Sequence, residues 1–121
     1  MNSIYATGNV TRDPEIKYTP GGMAIGKFSI ASSYGKDDNK KTTFIDVVTF
    51  GELAETVCDQ VKKGTRVSVD GRLQIEAYDK KDGTKGKRVE VIADDVALSL
   101  RFVKNGASSQ RTSVVEDEEE F

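Results

Sequence analysis

Residues 42–64, TTFIDVVTFGELAETVCDQVKKG, change their hydrophobic period in the middle, and this change decides the fold. Up to position 50 the residues alternate as in a strand, which places Phe44, Asp46 and Phe50 on the same side. Beyond it the apolar residues recur at helical spacing, and Gly64 closes the segment as a helix C-cap would. The stretch therefore predicts a strand that is followed directly by a helix.

The apolar stripe of this helix contains the only cysteine of the chain, Cys58. We expect Cys58 to be a small core residue, and a reactive thiol is the alternative. A single cysteine excludes an internal disulfide and is typical of a reducing compartment. The stripe consists of Leu53, Ala54, Val57, Cys58 and Val61.

Most of the remaining sequence alternates with period two, which indicates an all-β fold. A glycine-containing loop joins the last two long strands as a hairpin. Leaving aside a short extended piece, EIKYT, the order is three strands, one helix and two strands. This order predicts a five-stranded OB-fold barrel with one α-helix between the third and fourth strands. The predicted strands are 3–10, 23–34, 42–50, 65–79 and 87–100.

The composition excludes several classes of function. The chain has 121 residues and no His, so it lacks the commonest general base and metal ligand. We therefore expect no enzyme, no metal and no cofactor. No apolar run is long enough for a membrane span, and we see no signal peptide. Residues 1–104 hold 17 Lys and Arg against 15 Asp and Glu, whereas residues 116–121 carry five acids.

Three stretches carry a family resemblance: GNVTRDPEIKYTPGGMAIGKFSIA, TTFIDVVTFGELAE and VKKGTRVSVDGRLQIEAY. In order and spacing they resemble the bacterial single-stranded DNA-binding proteins, over about residues 2–103 and again in the acidic tail. The resemblance implies an OB-fold, usually a homotetramer, that coats single strands in DNA replication, recombination and repair. It also implies a cytoplasmic protein, of a bacterium or of a host if a phage or plasmid encodes it. A dimer remains an alternative.

Binding single strands without regard to sequence requires flat π-faces for the bases, since stacking is sequence-tolerant. The spacing of Phe44 and Phe50 puts both rings on one side of their strand. Their positions, and that of Tyr78, match those where the family places stacking aromatics, and Tyr34 matches less well. The alternative is that these rings are core, as we expect for Phe28. The stacking candidates are Tyr34, Phe44, Phe50 and Tyr78.

Basic residues crowd the turns and hairpins around these aromatics, and we expect them to bind phosphate. Solvated surface lysines are the alternative. Asp46, Glu52 and Glu76 oppose tight binding, because fewer counterions would be released. The phosphate candidates are Lys17, Lys62, Lys63, Arg66, Arg72, Lys80, Lys87 and Arg88.

Residues 105–115 are rich in polar and small residues and predict a flexible linker between the domain, residues 1–104, and the acidic tail. The resemblance implies that this tail docks partner proteins through its final Phe, although Glu120 stands where the family usually has Pro. A solubility tail is the alternative. The docking candidates are Glu116, Asp117, Glu118, Glu119, Glu120 and Phe121.

Two other functions fit an OB-fold of this size. One is an accessory protein of a primosome or mobile element that binds DNA weakly and depends on partners. The other is an RNA-binding OB module, which the response to the 2′-hydroxyl would distinguish.

Overall fold

The structure is a computed structural model, and it describes residues 1–101. A short 3-10 helix, Asp37–Asn39, lies in the connection between the third and fourth strands of the chain. The linker predicted at 105–115 and the tail predicted at 116–121 lie outside the described residues. The main elements are β1 (Ile4–Val10), β2 (Glu15–Tyr18), β3 (Ala24–Tyr34), β4 (Lys41–Phe50), α1 (Gly51–Gln60), β5 (Arg66–Asp79) and β6 (Lys85–Leu98).

The strand pairings connect five strands in a ring. Its order is β1–β5–β6–β4–β3, and β3 pairs back with β1 at Asn9–Ala31 and Val10–Ile30. The β4–β6 pairing is parallel, and the other four in the ring are antiparallel. The short piece at 15–19 is a strand in its own right, β2, because it pairs with β3. The mostly β architecture and the position of the helix, between the third and fourth strands of the ring, confirm the prediction.

Alternation along each strand sends aliphatic side chains into the ring. Phe28, with an exposed fraction of 6%, lies in this core, as predicted. The helix buries Ala54 and Val57, and Leu53 packs against the core, which confirms these members of the predicted apolar stripe. Val61 is buried but follows the helix, and Cys58 is only partly buried. The core cluster consists of Val10, Phe28, Ile30, Val47, Val57, Val61, Val67, Val69, Val91 and Ala93.

The helix begins directly after β4 because Gly51 turns the chain in the left-handed region, at φ 66°. Its end differs from the prediction. Val61 is already extended, so α1 ends at Gln60, and Gly64 is not its C-cap. Residues 62–65 form a separate turn, in which the Thr65 backbone N–H donates to the Lys62 carbonyl at 3.0 Å. Within residues 1–101, no helix has the length and apolarity that crossing a bilayer requires.

Candidate nucleic-acid interface

The strand β4 presents two different faces. Val47 and Thr49 point into the ring and are buried. Phe44 and Phe50 point away from it, with exposed fractions of 70% and 40%. The two aromatic rings are six residues apart on the strand, a distance of roughly 20 Å. Both rings are therefore open to solvent on the same side, and neither is part of the core.

The register of the neighbouring strands extends this side into a continuous surface. Directly paired residues point to the same side of a sheet. The strand register therefore identifies which residues of β3, β6 and β5 lie on the same side as Phe44, Asp46, Val48 and Phe50. We call the result the outer face. It comprises Ile25, Lys27, Ser29 and Ala31 of β3; Phe44, Asp46, Val48 and Phe50 of β4; Arg88, Glu90 and Ile92 of β6; and Arg72, Gln74, Glu76 and Tyr78 of β5.

A groove of about 260 Å³ crosses the middle of the outer face. Its floor is apolar, because Val48 and Ile92 pair across β4 and β6 and are both buried. Lys27 pairs with Val48 on one side, and Arg72 pairs with Ile92 on the other. One row of paired residues thus has a cation at each end, Lys27 and Arg72, and the apolar floor between them. Phe50 lines the groove beside this row. A base could pack on this apolar floor, between the positive charges of Lys27 and Arg72, which attract phosphate.

A second groove of about 210 Å³ adjoins the first, and Lys27 and Glu90 line both. Arg12, Asp13 and Asp46 also line this second groove, so its charge is mixed. The outer face is therefore more favourable for phosphate near Lys27 and Arg72 than near Asp46.

Tyr78 lies on the outer face at the far end of the long hairpin. Its exposed fraction is 41%, and its ring lies over Gly86, the residue paired with it on β6. The guanidinium of Arg88 lies 5.4 Å from the ring centroid, and Arg88 also pairs with Glu76 at 3.8 Å. Backbone and guanidinium together hold this ring in place, which prepares it for stacking.

Tyr34 is exposed, at 72%, but it stands apart from the other three aromatics. It belongs to the alternation of Phe28 and Ile30, at the end of β3 beyond the core. The register therefore does not bring Tyr34 onto the outer face.

Three of the predicted phosphate-binding residues, each on a strand, occupy different places. Lys17 pairs with Ile25, and Ile25 pairs with Phe50, so Lys17 lies at the edge of the outer face in the same row as Phe50. Arg72 lines the central groove. Arg66 lies instead at the other end of β5, where its Nε donates to Ser99 Oγ at 3.2 Å and its Nη1 to Asn9 Oδ1 at 3.4 Å.

The remaining predicted cations lie in turns and in the hairpin. Lys62 Nζ donates to the Cys58 carbonyl at 3.2 Å, so it covers the end of α1. Lys80 packs its stem on Gly86 beside Tyr78, and Arg88 shares that side. Lys87 pairs with Ala77 and points to the opposite side of the hairpin. Lys63 is exposed in the turn before β5.

Two features of the outer face were not found from the sequence. Lys27 is not among the predicted phosphate-binding residues, although it lines both grooves. The buried floor of Val48 and Ile92 was also missed. Alternation within β3 could have placed Lys27 on the side of Phe44, but the pairing between β4 and β6 was needed to reveal the floor.

The single cysteine carries no sign of reactivity. Burial raises the pKa of the Cys58 thiol, and Lys62 opposes this only partly. A thiol with a raised pKa is a poor nucleophile at neutral pH, which argues against the reactive-thiol alternative. Cys58 was expected to be a small core residue, but it is only partly buried and is not part of the core cluster. Among the side chains that the structure describes, which leave out that of Asp37, no three of His, Cys, Asp or Glu are grouped so as to hold a metal ion.

Exposed rings, an apolar groove and flanking cations on a small ring of strands are features of proteins that bind unpaired nucleic acid. A comparison with protein families gives the class: residues 1–99 match the single-strand binding protein family, and the chain belongs to that family. It is 36% identical over 115 residues to "Single-stranded DNA-binding protein 3" of Clostridium acetobutylicum, covering 93% of this chain and 77% of that protein. It is 39% identical over 113 residues to the "Single-stranded DNA-binding protein" of Clostridium tetani, covering 91% and 78%.

A third relative is more distant. The chain is 34% identical over 121 residues to the "Single-stranded DNA-binding protein" of Halalkalibacterium halodurans, covering 97% of this chain and 70% of that protein. The family relationship therefore extends over nearly the whole chain and most of each of these three relatives.

Proposed function

We propose that this protein binds single-stranded DNA of any sequence on the outer face. The observation that carries the proposal is the exposure of Phe44 and Phe50 on one side of β4, where Phe50 lines a groove that Lys27 and Arg72 flank. Every base has a π-face, so stacking on these rings and on Tyr78 contributes about 1–3 kcal/mol per base with little discrimination. Tyr34 would meet the strand beyond the outer face.

The phosphates would be neutralised by the cations nearest to these rings. Lys17 and Lys27 lie on one side, Arg72 on the other, and Lys80 and Arg88 beside Tyr78. Lys62 and Lys63 would extend this path at the turn before β5, and Lys87 at the back of the hairpin. Arg66 is the predicted cation that the structure supports least, because its side chain bonds Asn9 and Ser99.

We further propose that the five-stranded ring is an OB-fold barrel and that the protein acts as a homo-oligomer, a tetramer rather than a dimer. It would coat single strands in replication, recombination and repair in the cytoplasm, as a binding protein without catalytic activity or cofactor. Its residues 116–121 would recruit partner proteins. These statements rest on the family and on the sequence of the tail.

Fluorescence anisotropy of labelled oligomers tests the proposal. Oligo-dT should bind, a duplex of the same length should bind much more weakly, and oligo-rU should bind more weakly than oligo-dU. Equal affinity for matched RNA and DNA would favour the RNA-binding alternative. Measurable binding only after addition of a partner protein would favour the accessory alternative. No binding to any single strand would refute the proposal.

A further inference from the structure

Asp46 lies near the centre of the outer face, two residues from Phe44 and four from Phe50 on the same side of β4. It is exposed, and Ser29 Oγ donates to its Oδ1 at 2.5 Å. Within residues 1–101 no salt bridge to Asp46 was found. An oriented negative charge therefore stands in the middle of the surface on which we propose that DNA lies.

A strand that stacks on both Phe44 and Phe50 must pass Asp46, because about 20 Å of β4 separates the two rings. Its phosphates will avoid the carboxylate and turn towards Lys27 and Arg72, which occupy the next row of the face. The base is then the part of the nucleotide that meets Asp46. It can sit on the floor of Val48 and Ile92, which is the row next to Asp46, with one edge towards the carboxylate.

A carboxylate accepts hydrogen bonds and donates none. The exocyclic amino group of cytosine is a donor that Asp and Glu side chains accept from. Uracil and thymine present a carbonyl oxygen at the same ring position, which a carboxylate repels. Glu90 strengthens this bias, because it is the β6 partner of Asp46, shares the second groove with it and also lines the central groove.

We propose that Asp46 is a specificity-determining residue that favours cytosine over uracil and thymine at the centre of the outer face. The inference rests on the proposed function and refines it, since stacking still admits every base. The preference should be about three- to tenfold in affinity, the effect of one solvent-exposed hydrogen bond gained or lost.

The test is the ratio of the dissociation constants for oligo-dU and oligo-dC of equal length, at slightly alkaline pH. The two oligomers differ at C4 and the neighbouring N3, so stacking and phosphate contacts are matched. The variants are Asp46→Asn and the double variant Asp46→Asn with Glu90→Gln. The matched control is Asp70→Asn with Asp95→Asn, a pair of exposed acids that face each other across β5 and β6 and line neither groove.

The proposal predicts a ratio of about three to ten for the unaltered protein and the control, and a ratio near one for both Asp46 variants. Affinity for both oligomers should rise in all variants, because each removes negative charge. A ratio near one in the unaltered protein would overturn the inference while leaving the proposed function intact. A ratio that survives both Asp46 variants would also overturn it. Failure to bind either oligomer would refute the proposed function, and this inference with it.

Discussion

The ring of Tyr78 lies on the α-carbon of Gly86, so closely that a Cβ atom at Gly86 would come within 2.7 Å of Tyr78 Cζ. The two residues are paired across β5 and β6, and Lys80 packs on the same glycine. A glycine within a strand usually weakens it, but Gly86, the second residue of β6, admits an aromatic ring against the backbone. The position of Tyr78 on the outer face therefore depends on the absence of a side chain at Gly86.

Gly86→Ala should displace the Tyr78 ring and weaken oligo-dT binding by about 1 kcal/mol, within the range for loss of one stacking contact. A double-mutant cycle with Tyr78→Ala, measured by anisotropy, shows whether Gly86→Ala weakens binding by displacing the Tyr78 ring. If Gly86 acts through the ring, Gly86→Ala should cause no further loss of affinity in a protein that already carries Tyr78→Ala. Additive losses would show that Gly86 contributes independently of Tyr78.

Phe44→Ala and Phe50→Ala should each weaken oligo-dT binding by about 1–3 kcal/mol. Phe44→Ala should leave the melting temperature nearly unchanged, because its ring is mostly exposed. Phe28→Ala is the matched control, a phenylalanine removed from the core, and should lower the free energy of unfolding by about 3–5 kcal/mol. Unfolding curves and binding isotherms on the same samples separate the two effects. Unchanged affinity in both Phe44 and Phe50 variants would show that neither ring stacks on DNA.

Arg72 and Arg66 were both predicted to bind phosphate, so a variant of Arg66 is a matched control for a variant of Arg72. Arg72→Gln should weaken binding and reduce the slope of log affinity against log salt by about 0.7, the value for one phosphate contact on a single strand. Arg66→Gln should leave the slope unchanged and lower stability by about 1 kcal/mol, because its bonds to Asn9 and Ser99 are lost. Equal slopes for the two variants would contradict the proposal that Arg72, in the central groove, contacts phosphate and Arg66 does not.

The tail can be tested by deleting Phe121 alone, with the five acids retained. A docking peptide that depends on its aromatic anchor should lose partner capture in a pulldown, while the affinity for oligo-dT stays the same. A variant with residues 116–120 neutralised and Phe121 kept serves as the control for charge. If removal of Phe121 leaves capture unaltered, the tail has only a solubilising role.

The elements that depend on local pattern were predictable from the sequence. Alternation along 42–50 separated Phe44 and Phe50 from the buried Val47, and the helical stripe identified Val57 as core. These features follow from the period of each element, which neighbouring residues fix. The end of α1 was placed too late, because a glycine with positive φ occurs in the turn at Gly64 as well as at helix ends.

The parts of the site that depend on pairing between distant strands were not predictable. The floor of the groove requires the parallel alignment of Val48 with Ile92, and its second cation, Arg72, lies one strand further on. No local pattern specifies that alignment, because the two strands are separated in sequence by α1 and β5. Lys27 and Tyr34 are different cases, because alternation within β3 places Lys27 opposite the buried Phe28 and Tyr34 on the side of Phe28.

The central claim is that bases stack on the exposed rings of β4, and the absence of Trp from the chain allows a direct test. Phe44→Trp supplies a single indole on the outer face, and Tyr5→Trp supplies one on β1, where the replaced ring has the same exposed fraction of 70%. Saturating oligo-dT should quench the fluorescence of Trp at position 44 strongly and that of Trp at position 5 little. Emission at position 44 that stays constant while labelled DNA is bound would contradict the account.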